Sequence, residues 1–302
     1  MSVRLVNGLA LDFSRRALLV GGAAAWVSGC HRGGGAPGAP APTSGAPANP
    51  AATIAGAVAG AWRAPRDKAR DRWRHPVQSL AFWGVKPGMT VVEVWPGAGW
   101  YTDILAPFLT ATGGVLYAAE FKPETPAAVA VADSFHHRLQ ASPTLYGAVR
   151  LTAFGPTSGP MAPAGGADVV LFLRNVHDWM HGGFADKGFH DAFLALKPGG
   201  VLGVEAHRAP PGGAQDVLAT SGYVQEAYVR QMAKDAGFVF EAASEINANP
   251  KDDHNHPFGV WTLPPTRRSA PAGKPPNPAF DHAPYDAIGE SDRMTLRFVK
   301  PR

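Results

Sequence analysis

Hydrophobic and polar positions change period repeatedly along this chain, and each change marks an element. Thr90-Val91-Val92-Glu93-Val94 is a short, largely apolar run between the turn Lys86-Pro87-Gly88 and the breaker Pro96-Gly97-Ala98-Gly99. Such a run reads as a buried strand. From about Trp100, the residues Tyr101, Ile104, Leu105, Phe108 and Leu109 share one helical face, and Gly113-Gly114 ends that helix. The alternation continues with a strand at 115–121, a helix at 126–141, a weak strand at 149–154 and a strong strand at 168–173. A helix at 187–196, the turn Lys197-Pro198-Gly199-Gly200 and a strand at 201–206 come next. A helix at 223–236 and strands at 238–246 and 294–299 complete the pattern. Upstream, Trp73, Val77, Leu80 and Ala81 predict a helix over 66–83, divided by Pro76. Strands alternating with helices imply a mostly parallel sheet covered on both faces, a doubly wound α/β fold. Residues 247–292 interrupt the rhythm with a long irregular stretch rich in Pro, His and Asp. Loops of that length inside a domain are usually functional or disordered.

Composition narrows the class. The 302 residues are 45% hydrophobic, enough for a sizeable core, and 17% charged, below the usual ~25%. The 35 glycines and 29 prolines belong in loops and linkers, because both weaken helices and strands. A disordered chain, a coiled coil and a multi-span membrane protein are excluded. No apolar run after residue 30 approaches the ~20 residues of a spanning helix. The net charge is +4, with no basic stripe and no nucleic-acid motif, so nucleic acid is not an expected partner.

Residues 1–30 read as an export address. Arg15-Arg16 precede a short, glycine-containing apolar stretch that ends in small residues, the layout of an export signal. Ser14-Arg15-Arg16 with Leu18-Leu19 resembles a twin-arginine signal, with Leu18 where that pattern has Phe; the alternative is the positive region of an ordinary secretory signal. Val27-Ser28-Gly29-Cys30 resembles a lipobox, which implies lipidation of Cys30, the one cysteine of the chain. A single cysteine excludes an intramolecular disulfide and a multi-thiolate zinc site. Residues 31–52, rich in Gly, Ala and Pro, form an expected flexible tether, and 53–302 the folded domain. The expected location is the periplasmic side of the cell envelope, with a membrane contact made through the lipid.

A strand ending in an acid, then a glycine turn and a helix, is the pattern of a nucleotide site, because glycines let backbone approach the ligand. The loop Glu93-Val94-Trp95-Pro96-Gly97-Ala98-Gly99-Trp100-Tyr101 fits the dinucleotide fingerprint poorly, since Thr102 stands at the third glycine. It resembles instead the first motif of class I S-adenosylmethionine-dependent methyltransferases, and in particular a bacterial exported group of that superfamily. Glu93, Gly97 and Gly99 fall on the family's frame, Glu120 ends the next strand, and Lys197-Pro198-Gly199-Gly200 precedes the fifth. The resemblance implies a seven-stranded, Rossmann-like sheet with the last strand antiparallel. It further implies S-adenosyl-L-methionine as cofactor, held by Glu93, Trp95, Gly97, Gly99, Tyr101, Glu120 and Asn175, with Glu120 on the ribose hydroxyls. Trp95 departs from the family by replacing the first glycine, and residues 155–166 lack the acid that many members place near the adenine.

Ligands of open α/β sheets bind beyond the carboxyl ends of the strands, where Arg174-Asn175-Val176-His177-Asp178-Trp179 follows the fourth strand. His177-Asp178-Trp179 resembles the segment in which small-molecule O-methyltransferases carry their general base. That implies His177 as base, with Asp178 and Asn175 shaping its surroundings; the plain alternative is that His177 and Asp178 cap the next helix or satisfy loop backbone. His207 is a second candidate for substrate contact. Asp252-Asp253-His254-Asn255-His256 contains metal-ligand types without a rigid spacing and reads as a solvated loop. His136-His137 read as helix surface, and Trp100-Tyr101 as packing residues. The expected function is methyl transfer to a small-molecule nucleophile. A non-catalytic exported binding protein keeping the same fold is the alternative, since fold does not fix function.

Overall fold

A computed structural model describes residues 49–302. The export signal, the lipobox at Cys30 and nearly all of the tether lie outside the described residues. Residues 49–52, expected within the tether, are ordered: Asn49 caps a 3-10 turn at Pro50–Ala52, and Ala51 is buried. Four short helices follow, α1 (Ile54–Ala59), α2 (Pro65–Lys68), α3 (Asp71–Arg74) and α4 (Pro76–Phe82). The helical segment expected over 66–83, divided at Pro76, is therefore three helices, with a further break between α2 and α3. Pro76 begins the last of them, and His75 before it closes α3 in a left-handed conformation with φ 40°.

The body continues as β1 (Thr90–Val94), α5 (Thr102–Thr112), β2 (Val115–Glu120), α6 (Pro126–Ala141), α7 (Pro143–Tyr146) and β3 (Val149–Ala153). Then come β4 (Ala167–Leu173), α8 (Val176–His181), α9 (Ala185–Ala195), β5 (Leu196–His207), α10 (Glu226–Asp235), β6 (Val239–Ser244), α11 (Ala283–Ile288) and β7 (Arg293–Val299). The strand order is β3-β2-β1-β4-β5-β7-β6. Only β7 runs against the others. This is the expected doubly wound, class I methyltransferase-like sheet. Alternate residues of each central strand enter opposite cores. Val92, Val94, Val170 and Phe172 meet Trp179, Phe189 and Val229 on one side, while Val91, Val169 and Leu171 meet Leu80, Trp83, Ile104 and Leu105 on the other. Among the described residues no helix is long and apolar enough to cross a membrane.

Two expected boundaries move. The Lys197-Pro198-Gly199-Gly200 turn lies inside β5, where pairing with β4 shifts register between Ala167 and Val169. The stretch 247–292 is not solvated loop throughout. It leaves β6 and returns at β7 on the edge where β4 and β5 end, since Ser244 pairs with Thr295 and His207 with Arg293. Buried amides and a buried carboxylate fix it there. Asn247 Nδ2 donates to Ser79 Oγ and Thr295 Oγ1 at 3.1 and 2.9 Å. Asn249 Nδ2 donates to the carbonyls of Ile288 and Glu290 at 3.0 and 2.7 Å. Asp252 accepts from the Tyr223 hydroxyl and from the amides of His254 and Asp292, and pairs with His256 Nε2 at 2.8 Å. Buried polar groups tied this fully are structure.

Candidate functional site

The carboxyl ends of β1, β2 and β4 open onto a cleft that Trp95 divides. Its outer part, about 350 Å³, is bounded by Trp95, Gly97, Trp100, Arg70, Arg174 and Asn175, among others. A second part, about 700 Å³, is lined by Trp95, Phe121, Phe154 and Phe184 and by residues 155–158. Trp95 and Phe121 belong to both. The indole is held firmly: Nε1 donates to the Phe154 carbonyl at 2.8 Å, and the ring meets Phe121, Trp179 and Phe184 at centroid distances of 5.4 to 6.0 Å. Its backbone sits at φ 53°, left-handed and costly for a residue with a Cβ. The strained position is the one at which the resembled glycine motif has its first glycine.

The two expected glycines do different work. A Cβ on Gly97 (φ 59°) would meet nothing within 4 Å, so its backbone faces the open cleft. A Cβ on Gly99 (φ 85°) would strike Arg138 and Phe135, so this glycine lets α6 pack closely against the loop. Asn175 is buried, and its Nδ2 donates to the carbonyls of Val94 and Trp95 at 2.6 and 3.2 Å, fastening the end of β1 to the end of β4.

Two residues expected on the cofactor, Glu93 and Tyr101, are placed otherwise, and a third, Glu120, has a partner. Glu93 is buried beneath the start of α5, where Thr102 Oγ1 donates to it at 2.6 Å, and burial raises its carboxyl to about 7. Tyr101 is buried against Trp83 and Trp100, with its hydroxyl 3.4 Å from Glu205 Oε2. Neither reaches the cleft, because the pleat at Glu93 and the first turn of α5 point them into the core. Glu120 does end β2, but His136 Nε2 engages both of its carboxylate oxygens, at 2.9 and 2.8 Å. His136 is therefore a partner of the candidate ribose acid rather than plain helix surface. A carboxylate has about four acceptor sites, so Glu120 keeps capacity for a further donor.

Adjoining the outer cavity is a smaller one, the inner cavity, of about 230 Å³. Its walls include His177, His207 and Trp261, and it shares Arg74, Arg174 and Asp178 with the outer cavity. His177 is 5% exposed; Nε2 lies 3.4 Å from Asp178 Oδ1, and Nδ1 has no partner among the described residues. The rings of His207 and Trp261 stand edge-on to it at 5.2 and 5.7 Å. Burial lowers the His177 pKa from 6.5, with Asp178 opposing the fall. His207 is lowered further, by burial and then by His177, and its Nδ1 lies 2.5 Å from Ser291 Oγ. Val260, Trp261, Pro264, Pro265, Glu290 and Ser291 all come from the 247–292 stretch, so that insertion builds one wall of the site.

The arginines were not singled out from the sequence. Arg174 directly follows β4, the position that made Asn175 and His177 candidates, and that position was the available signal. Arg74 carries no sequence signal, because α3 reaches the site only through the tertiary fold. Asp252, Asp253 and His256 bring ligand atoms within 4.8 Å of one another, with the Asp252 carboxylate already engaged as described.

No family model matches the chain, and no curated protein matches it. Solved structures similar to it include the [4+2]-cyclase SpnF, 16% identical over 80% of this chain and 83% of that one, with a TM-score of 0.49. A SAM-dependent methyltransferase from Aquifex aeolicus is 18% identical over 59% and 87%, with a TM-score of 0.46. A 1,6-didemethyltoxoflavin-N1-methyltransferase from Burkholderia thailandensis, with bound 1,6-didemethyltoxoflavin and S-adenosylhomocysteine, is 12% identical over 78% of this chain and 82% of that one, with a TM-score of 0.42. All three fall under 20% identity and 0.5 in TM-score, so function rests on this chain's own residues.

Proposed function

We propose that this chain is an S-adenosylmethionine-dependent methyltransferase acting on a small-molecule nucleophile. The observation that carries this is the row of adjoining openings at the carboxyl edge. A cleft passing the glycine loop adjoins a small inner cavity across shared residues, and a buried histidine lines that inner cavity. The residues fit the cofactor. The open backbone at Gly97 admits close approach, Phe121, Phe154 and Trp95 offer apolar faces to a base, and Glu120 ends β2 next to Phe121 of the cleft wall, with acceptor capacity left for ribose hydroxyls. When bound, the cofactor supplies a methyl group activated by a sulfonium. The chain's part is to align the acceptor, exclude water and take a proton. His177 suits the proton-accepting role, being buried, inclined to neutrality, and left with one ring nitrogen without a partner.

Two observations favour the alternative, a binding protein that keeps the fold: the indole at Trp95 and the engagement of Glu120 by His136. Calorimetric titration of the full chain with S-adenosylhomocysteine separates the readings. Methyl transfer requires micromolar binding that Glu120→Ala weakens at least tenfold. Absence of binding to the wild-type chain gives the site to the alternative.

The proposed location is the periplasmic side of the envelope, with a lipid on Cys30. It is supported by the Val27-Ser28-Gly29-Cys30 and Arg15-Arg16 patterns. Substituting Lys at both Arg15 and Arg16 is expected to leave the protein in the cytoplasmic fraction. Normal export of that variant returns the signal to the ordinary secretory class.

A further inference from the structure

The inner cavity's own wall sets Arg74 and Arg174 against Asp178 and Glu290, and with Arg70, Arg293 and Glu205 beside it four guanidinium groups face three carboxylates. Arg74 Nε donates to Glu290 Oε2 at 2.9 Å, and Arg174 Nη1 donates to Glu205 Oε1 at 3.0 Å. Arg70 Nε donates to Glu290 Oε1 at 2.7 Å from the outer cavity. Arg293 sits beneath, with Nη1 donating to Glu290 Oε2 at 2.7 Å and Nε 3.2 Å from Glu205 Oε1. These four guanidinium groups thus share Glu205 and Glu290. The remaining acid on the cavity wall, Asp178, faces His177. Among the described residues, no acceptor takes either Nη atom of Arg74, or the Nε and Nη2 atoms of Arg174.

The two arginines are set in place rather than trailing into solvent. Arg74 is 5% exposed and anchored through one nitrogen, which leaves the rest of its fork for another partner. Arg174 sits at φ 67° immediately after β4. A residue with a Cβ at that angle stores strain of the kind found where a side chain must be aimed. Burial and then the neighbouring Arg174 pull the Arg74 guanidinium down to about 9, with Glu290 opposing the fall. Buried like charges are costly unless a counter-charge arrives. A guanidinium fork matches the oxygens of a carboxylate or phosphate.

We propose that the inner cavity binds an anionic acceptor, a compact molecule whose carboxylate or phosphate seats on Arg74 and Arg174. A volume of about 230 Å³ is below the roughly 300–1,000 Å³ of drug-sized clefts, so the ligand is of the order of one ring or a short chain. Trp261 and His207 offer ring edges and faces to its apolar part, and its hydroxyl meets His177. Only the role of that hydroxyl rests on the methyl-transfer reading; the anion seat stands without it.

The test is calorimetry of the full chain with benzoate and with its neutral analogue benzamide, each with and without saturating S-adenosylhomocysteine. Benzoate is expected to bind at least tenfold more tightly than benzamide, in the presence of S-adenosylhomocysteine as well. That preference is expected to collapse in both Arg74→Gln and Arg174→Gln, with far-UV circular dichroism confirming that each variant folds. The wild-type comparison needs no variant: equal affinities for benzoate and benzamide overturn the proposal. So does benzoate that S-adenosylhomocysteine displaces, because the arginines then hold the cofactor's own carboxylate. If the chain binds benzoate selectively and S-adenosylhomocysteine not at all, the methyl-transfer reading fails and the anion seat survives.

Discussion

His177 shows how one residue's surroundings set the pH range of a reaction. An exposed histidine is half protonated near 6.5, and a protonated ring accepts nothing. Here burial, the dominant effect, holds the ring below that value, and Asp178 at 3.4 Å only partly restores it. The neutral form therefore persists as the solution is acidified through 6.5. Once an acceptor is identified, kcat is expected to stay level from pH 8 to 6.5 and to fall only below that, on a limb set by His177. A limb centred above 6.5 would show that another group is the base. His177→Ala is expected to lower kcat by about 10²–10⁴-fold, the usual contribution of a positioned base, while leaving affinity for S-adenosylhomocysteine unchanged. Loss of that affinity together with the rate would assign the ring a structural role instead.

At the scale of elements, the central strands and the long helices were legible because their signals are local. Val91 to Val94 and 168–173 are apolar runs between breakers, and α5 shows its face through Ile104, Leu105, Phe108 and Leu109. The site was legible where position in the fold implies exposure at the strand ends, as for Asn175, His177 and His207. It was not legible where orientation decides. Glu93 is an acid in the expected frame, yet the period of two along β1 turns it under α5. Gly99 sits in the same frame and serves helix packing rather than a ligand. The stretch 247–292 lacks periodicity because its order comes from Asn247, Asn249 and Asp252, whose partners lie as far away as Ser79 and Tyr223. No hydrophobic pattern announces structure held by buried side-chain hydrogen bonds to distant groups. The cavity wall it forms became visible only with those bonds in place.

For the whole molecule, the acids buried on and beside the sheet pull stability in opposite directions as pH changes. Glu205 and Glu290 are buried, which alone would raise them, but the surrounding arginines overcome burial and hold both below the ordinary carboxylate range. Their contribution is present above about pH 4.5 and is lost as acid protonates them. Glu93 acts in reverse. Burial raises it from 4.5 to about 7, against the help of Thr102, so between these values the folded chain keeps a proton that the unfolded chain has released. Stability from this group falls as pH rises through that window, by an amount on the order of 3 kcal/mol when complete. Gln at this position preserves shape and an acceptor for Thr102 without a charge to bury. The stability of Glu93→Gln relative to wild type is therefore expected to rise between pH 5 and pH 8, measured as urea midpoints at each pH. A difference that is the same at both would mean that Glu93 ionises without cost, through water or a cation reaching the start of α5. A relative loss at pH 8 would mean that the charged carboxylate itself holds the glycine loop to the helix.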